Sequence, residues 1–119
     1  MKVFNRAVAI LGSFFMQVKT AAATAGAVTL SADAGKITSE ALTTAQNDIY
    51  TLTLTNDKIK ANSLVFVTVA DGTNTQGTPM VGQVNPANGS VVIEVINKHA
   101  TAEAFNGTVE VSFMVVNVG

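Results

Sequence analysis

The stretch "DIYTLTLT", residues 48–55, alternates with a period of two. Ile49, Thr51, Thr53 and Thr55 fall on one side, and Tyr50, Leu52 and Leu54 on the other. A strand turns successive side chains to opposite faces, so this is a strand with one covered side and one wetter side. The same reading extends outward in both directions. "AVTL" (27–30) and "GKITSE" (35–40) precede it, and "SLVFVTVA" (63–70), "PMVGQV" (79–84), "SVVIEVIN" (90–97) and "TVEVSFMVVNV" (108–118) follow. Asn56-Asp57, Asp71-Gly72, Asn88-Gly89 and Asn106-Gly107 punctuate them, because Asn and Gly accept the positive φ that tight turns require. Seven strands at this spacing predict an all-β fold, a β-sandwich of jelly-roll type. "VVIEVI" and "VSFMVV" are apolar on nearly both faces, which predicts a second covering besides the core.

The composition asks for partners. The chain has 119 residues, enough for one domain with a real core. Only 13% of residues are charged against 48% apolar, and the net charge is −1. A lone small domain hides that much apolar surface with difficulty, so we expect a permanent oligomer or a large partner surface. There is no cysteine, which removes disulfides and thiolate metal sites. The first 20 residues carry +3 and the remainder −4, so a basic segment leads an acidic body. One Tyr, no Trp and few positive charges in that body argue against nucleic-acid binding.

The leading segment, "MKVFNRAVAILGSFFMQVK" (1–19), follows a different period. Phe4, Ala7, Leu11, Phe14 and Val18 recur every three or four residues, the stripe of an amphipathic helix. Lys2 and Arg6 ahead of an apolar run give it the outline of a secretory signal. That run, Ala7 to Met16, is ten residues, half of the roughly twenty that span a membrane. We therefore expect a retained helical arm. Its apolar stripe (Phe4, Leu11, Phe14, Phe15, Val18) and its charges (Lys2, Arg6, Lys19) would grip its own domain or a neighbour. "TAAATAGA" (20–27) is expected as the hinge, giving an arm and hinge over 1–25 and a sandwich over 26–119.

Motifs for chemistry are sparse. His99 is the single histidine, and no G-x-S-x-G elbow accompanies it. Asp33, Asp48, Asp57 and Asp71 are scattered near turns without calcium-loop spacing, and H-E-x-x-H is absent. Gly72, Gly77 and Gly82 match neither phosphate-loop pattern. No cofactor and no metal are expected. The longest loop, "DGTNTQGTP" (71–79), offers Asn74, Thr75 and Gln76 as a possible contact tip.

Over "GAVTLSADAGKITSEALTTAQNDIYTLTLTN" (26–56) and "VFVTVADGTNTQGTPMVGQVNPANGSVVIEVINKHATAEAFNGTVEVSFMVVN" (66–117) the chain resembles small structural proteins of tailed-phage virions, of the capsid decoration or head-fibre kind. "KITSEALTTA", "ADGTNTQGTP" and "NKHATAEAFNGTVEVSF" carry the resemblance, and the arm lies outside it. The resemblance implies a non-enzymatic virion component on the capsid exterior, assembled in the host cytoplasm, that binds other virion proteins. The expected partners are the major capsid protein and the chain itself, as a trimer ahead of a dimer, with no nucleic acid and no membrane. The alternative is a head- or tail-fibre module that recognises a host receptor or glycan through residues 74–76. Scarce aromatic side chains weigh against that alternative, because sugar sites stack on rings.

Overall fold

Two valine-rich segments form the middle of the molecule. In the computed structural model, which describes residues 17–117, Ser90–Asn97 and Val109–Val116 each lie between two other strands, one in each of two sheets. The described residues form eight strands: β1 (Val18–Ala22), β2 (Ala27–Thr29), β3 (Ala34–Thr38), β4 (Ile49–Thr55), β5 (Leu64–Asp71), β6 (Pro79–Ala87), β7 (Ser90–Asn97) and β8 (Val109–Val116). The first sheet has the order β1-β3-β8-β5 and the second β2-β4-β7-β6. Both are mixed: β1 runs parallel to β3 and β2 parallel to β4, and the other pairings are antiparallel. The result is an all-β, sandwich-like fold.

The period of two decides what is inside. Val91, Ile93 and Val95 of β7 and Val109, Val111, Phe113 and Val115 of β8 are buried, and Leu52 and Leu54 of β4 join them. Fully burying one such side chain contributes about 1.5–3 kcal/mol, so these inward rows hold the sheets together. Leu42 and Phe105 close one end of the core and Ile59 the other. The alternation read in residues 48–55 holds in β4, where Leu52 and Leu54 have no exposure and Ile49, Thr51 and Thr55 face outward.

Val18–Ala22 corrects one expectation. Val18 was expected to end a helical stripe and residues 20–27 to be a hinge, but Val18–Ala22 is β1, paired in parallel with Ala34–Thr38. Val18 and Thr20 are β-branched and suit a pleated surface, and Ala21 is small enough to face the core beside Ile37. Just four residues, Ala23–Gly26, lead from β1 to β2 in the other sheet, through a tight turn in which Thr24 and Ala27 exchange two backbone hydrogen bonds of 3.0 Å. Phe4, Leu11, Phe14, Phe15, Lys2 and Arg6 lie outside the described residues.

The turn pairs also behave differently from the simple expectation. Among them only Gly89 adopts positive φ. Gly72 and Gly107 are needed instead for close approach, because a Cβ on either would collide with Thr108 or Thr73 of the facing loop.

Candidate functional site

Strand register and burial together place the outward side chains of the first sheet. One row crosses all four strands: Val18, Ala34, Met114 and Phe66. Towards the end where the chain enters β1, the next row pairs Leu64 with Val116. Towards the other end the rows turn polar, first Thr20, Lys36, Ser112 and Thr68, then Thr38, Glu110 and Ala70. Lys36 and Glu110 form an ion pair at 3.8 Å there. One half of this face is therefore apolar and open to solvent, with Val18 58%, Phe66 55%, Leu64 50% and Val116 38% exposed. A depression of about 260 Å³ lies in it, lined by Phe66, Thr68, Ser112, Phe113 and Met114. The outward face of the second sheet has a smaller apolar corner, Ile49, Ile96 and Met80 in one row, and is otherwise rich in Thr, Asn and Ser.

The loop expected to offer contacts is fastened down. Asn74 is 3% exposed, and its side chain is spent inside the protein. Its Nδ2 donates to Asp71 Oδ1 at 2.8 Å and to the Gln76 carbonyl at 2.7 Å, and its Oδ1 accepts from the Asn106 N–H at 2.8 Å. Thr75 is exposed but tied to Asn106 by two bonds, its N–H to Oδ1 at 2.7 Å and its hydroxyl from Nδ2 at 2.8 Å. Thr73 and Thr108 exchange further hydrogen bonds across the same seam. Of the three residues named from the sequence, Thr75 and Gln76 face solvent, while Asn74 braces the loop.

A second amide, one that sequence reasoning passed over, ties the same end together. Asn97 has no exposure. It accepts from the N–H groups of Thr78 and His99 at 3.2 Å each, and donates to the carbonyls of Thr44 at 3.0 Å and Glu103 at 2.7 Å. Three loops thus meet on one side chain. At the opposite end Asn56, also fully buried, accepts from the N–H groups of Ala32 and Lys58 and donates to the Ala32 carbonyl. The only signal for these roles in the sequence is an amide residue at the edge of an apolar strand.

His99 stands in a line of polar groups. Its Nδ1 lies 3.0 Å from Thr78 Oγ1, and its Nε2 lies 3.7 Å from Glu103 Oε2. A hydroxyl beside an imidazole is the start of a nucleophile, but an oxyanion also needs donors aimed at it. The adjacent N–H groups are occupied: Gly77 donates to Glu103 Oε1 at 2.7 Å, and Thr78 donates to Asn97. The arrangement holds a loop in place. Among the described residues no three of His, Asp and Glu gather as metal ligands.

One acidic pair holds the chain where it passes between sheets. Glu40 accepts from the Gly26 N–H at 2.7 Å and from the Tyr50 hydroxyl at 2.5 Å. Burial pushes the Glu40 carboxyl up, but hydrogen bonds from Tyr50, its own backbone and Gly26 outweigh it and hold the group below its ordinary range. Burial first, and then the bond to Glu40 and its charge, push the Tyr50 hydroxyl well above its ordinary value. No protein-family model, curated protein or solved structure matches the chain.

Proposed function

We propose that this is a non-enzymatic bacteriophage virion protein, a capsid decoration or cement protein that self-associates and binds a shell of major capsid protein. The observation that carries the reading is the apolar half of the first sheet's outward face, where Leu64, Phe66 and Val116 stand in solvent on a chain with very few charges. A contiguous patch of this kind marks a surface that another protein covers. The resemblance of residues 26–117 to virion proteins supplies the kind of partner. We read the sandwich as a jelly roll because β3 pairs with β8 and β4 with β7, nested pairs that wrap as a long hairpin does. The arm expected over residues 1–19 ends in β1, whose first residue, Val18, lies in the Met114–Phe66 row beside the apolar patch. Arm and patch together form one gripping surface, and several modest contacts add through effective concentration on a lattice.

The receptor-binding alternative loses one of its three contact residues, because the Asn74 side chain is buried and engaged. The test is co-sedimentation with purified empty shells. Full-length protein should pellet with the shells and raise their melting temperature. Deleting residues 2–16, which leaves β1 intact, should weaken binding at least tenfold, and substituting Phe66→Asp should weaken it as well. Absence of shell binding by the full-length chain, or turnover of an ester or glycoside, would overturn the proposal.

A further inference from the structure

Each sheet of the sandwich has two edges, and three of the four carry a device that discourages further pairing. β1 has five residues and includes Lys19, and β2 has only three. β6 contains Pro79 and Pro86, and its register shifts between Val81 and Val84. Charges, prolines, bulges and brevity are the usual protections of an edge. β5 has none of them. It runs eight residues, LVFVTVAD, without proline, glycine or charge before Asp71.

The hydrogen-bond pattern shows which of its groups are free. The Gly72 N–H donates to the Thr108 carbonyl at 2.9 Å, continuing the register that places Asp71 opposite Val109. On the other side of β8, Val115 donates to Asp33 and Ser39 to Val109. The odd-numbered residues of β8 therefore bond to β3, and its even-numbered residues exchange bonds with the even-numbered residues of β5. Val65, Val67 and Val69 consequently turn both their N–H and C=O groups to the outside. Among the described residues no hydrogen bond reaches them. Their side chains face the core yet are only half-buried, and β6 of the other sheet comes close to this edge without bonding to it.

We propose that this edge is the interface with a second copy of the chain, β5 pairing antiparallel with β5 about a two-fold axis that passes between the two copies of Val67. The strand is nearly self-complementary about that residue: Val65 meets Val69, Phe66 meets Thr68, and Leu64 meets Ala70. This register uses every free group on the three valines. It sets Asp71 against Ser63 and so opposes no like charges. It joins two four-stranded sheets into one of eight strands, in which the apolar half of each outward face lies beside the polar rows of the other and the two halves meet at the corner between the Phe66 side chains. The inference rests on the reading that the protein self-associates, not on the identity of the shell. It sets the domain's own association at two copies, where a trimer was expected ahead of a dimer.

Sedimentation velocity of the full-length protein, over micromolar to sub-millimolar concentration, tests it. The wild type should be a reversible dimer. Val67→Pro removes an N–H that β8 does not use, so the fold should persist by circular dichroism while dimerisation weakens by about tenfold or more. Thr68→Lys places a charge on an exposed edge side chain and should do the same; it decides the matter if the proline variant does not fold. A wild type that stays monomeric, or an oligomer that survives Thr68→Lys or a folded Val67→Pro, overturns the inference. The same variants are applied to shells separately: a dimer that does not bind shells overturns only the functional proposal, and a monomer that binds them overturns only the pairing.

Discussion

Asn97 and Asn74 are polar side chains placed where an apolar one would pack, and each is kept there by what it holds. Replacing Asn97 with Ala would leave the carbonyls of Thr44 and Glu103 and the N–H groups of Thr78 and His99 without their partner. An unsatisfied buried group costs about 1–3 kcal/mol, and part of this set reaches water through the cavity. The expected loss for Asn97→Ala is therefore about 3 kcal/mol, read as a fall in Tm of roughly 10–15 °C by calorimetry. Glu40 and Tyr50 make a prediction in pH. The folded carboxyl of Glu40 lies below its ordinary 4.5, so its contribution is present above that pH and is lost as pH falls through the lower folded value. Tyr50 is raised above its ordinary 10.0, so its contribution is present below pH 10.0 and is lost as pH rises through the folded value. In Tyr50→Phe the alkaline loss from this group should vanish and the acid loss should flatten, as measured by urea midpoints across a pH series. None of these roles was legible beforehand. An Asn beside a strand reads as a turn residue, and only the meeting of three loops turns it into a brace.

At the scale of the elements, most of the sheet was legible because its signal is local. Seven strands follow from runs of β-branched and apolar residues, with ends within about three residues of those observed, since alternation needs no knowledge of the partner. β1 was not legible. Val18 continues the three-and-four spacing of the preceding residues, and Lys19–Ala22 is too short and too poor in large side chains to announce a strand; β3 makes it one. The next four residues hold a strained position. Ala25 and Gly26 both have positive φ, 51° and 74°, in a two-residue turn whose geometry favours Asn-Gly. Ala tolerates that region poorly, so Ala25→Asn should stabilise the domain by about 0.5–1 kcal/mol, raising Tm by a few degrees. Gly26→Ala should do the reverse, because its Cβ would lie 2.6 Å from the Thr51 carbonyl oxygen. Gly89→Ala, with open space around it, should suffer only the cost of its φ.

Over the whole molecule, the strand directions sort the surface into two ends. β1 begins where β5 begins and β8 finishes, so Val18, Leu64 and Val116 gather at the end braced by Asn56. The 72–78 loop, with Thr75 and Gln76 at its tip, lies at the other end beyond the last residues of β5 and β7. A strand of eight residues spans about 26 Å, so the two ends are separated by most of the domain's length. For a copy that meets the shell through the apolar patch and the arm, the loop end points away from it and the two ends differ in access on a decorated particle. A two-fold β5 pair reverses the ends of the partner, so the labelling is read in the Thr68→Lys background, where pairing is weakened. The chain has no cysteine of its own, which makes single-cysteine labelling unambiguous. Gln76→Cys should react with a bulky maleimide equally fast in free and shell-bound protein. Gln17→Cys, next to β1, should react in the free protein and slow by about tenfold or more on the shell. Protection of Gln76 with Gln17 left open would reverse the polarity of binding. It would return the 72–78 loop to the role of contact surface and leave the apolar face for contacts between copies alone.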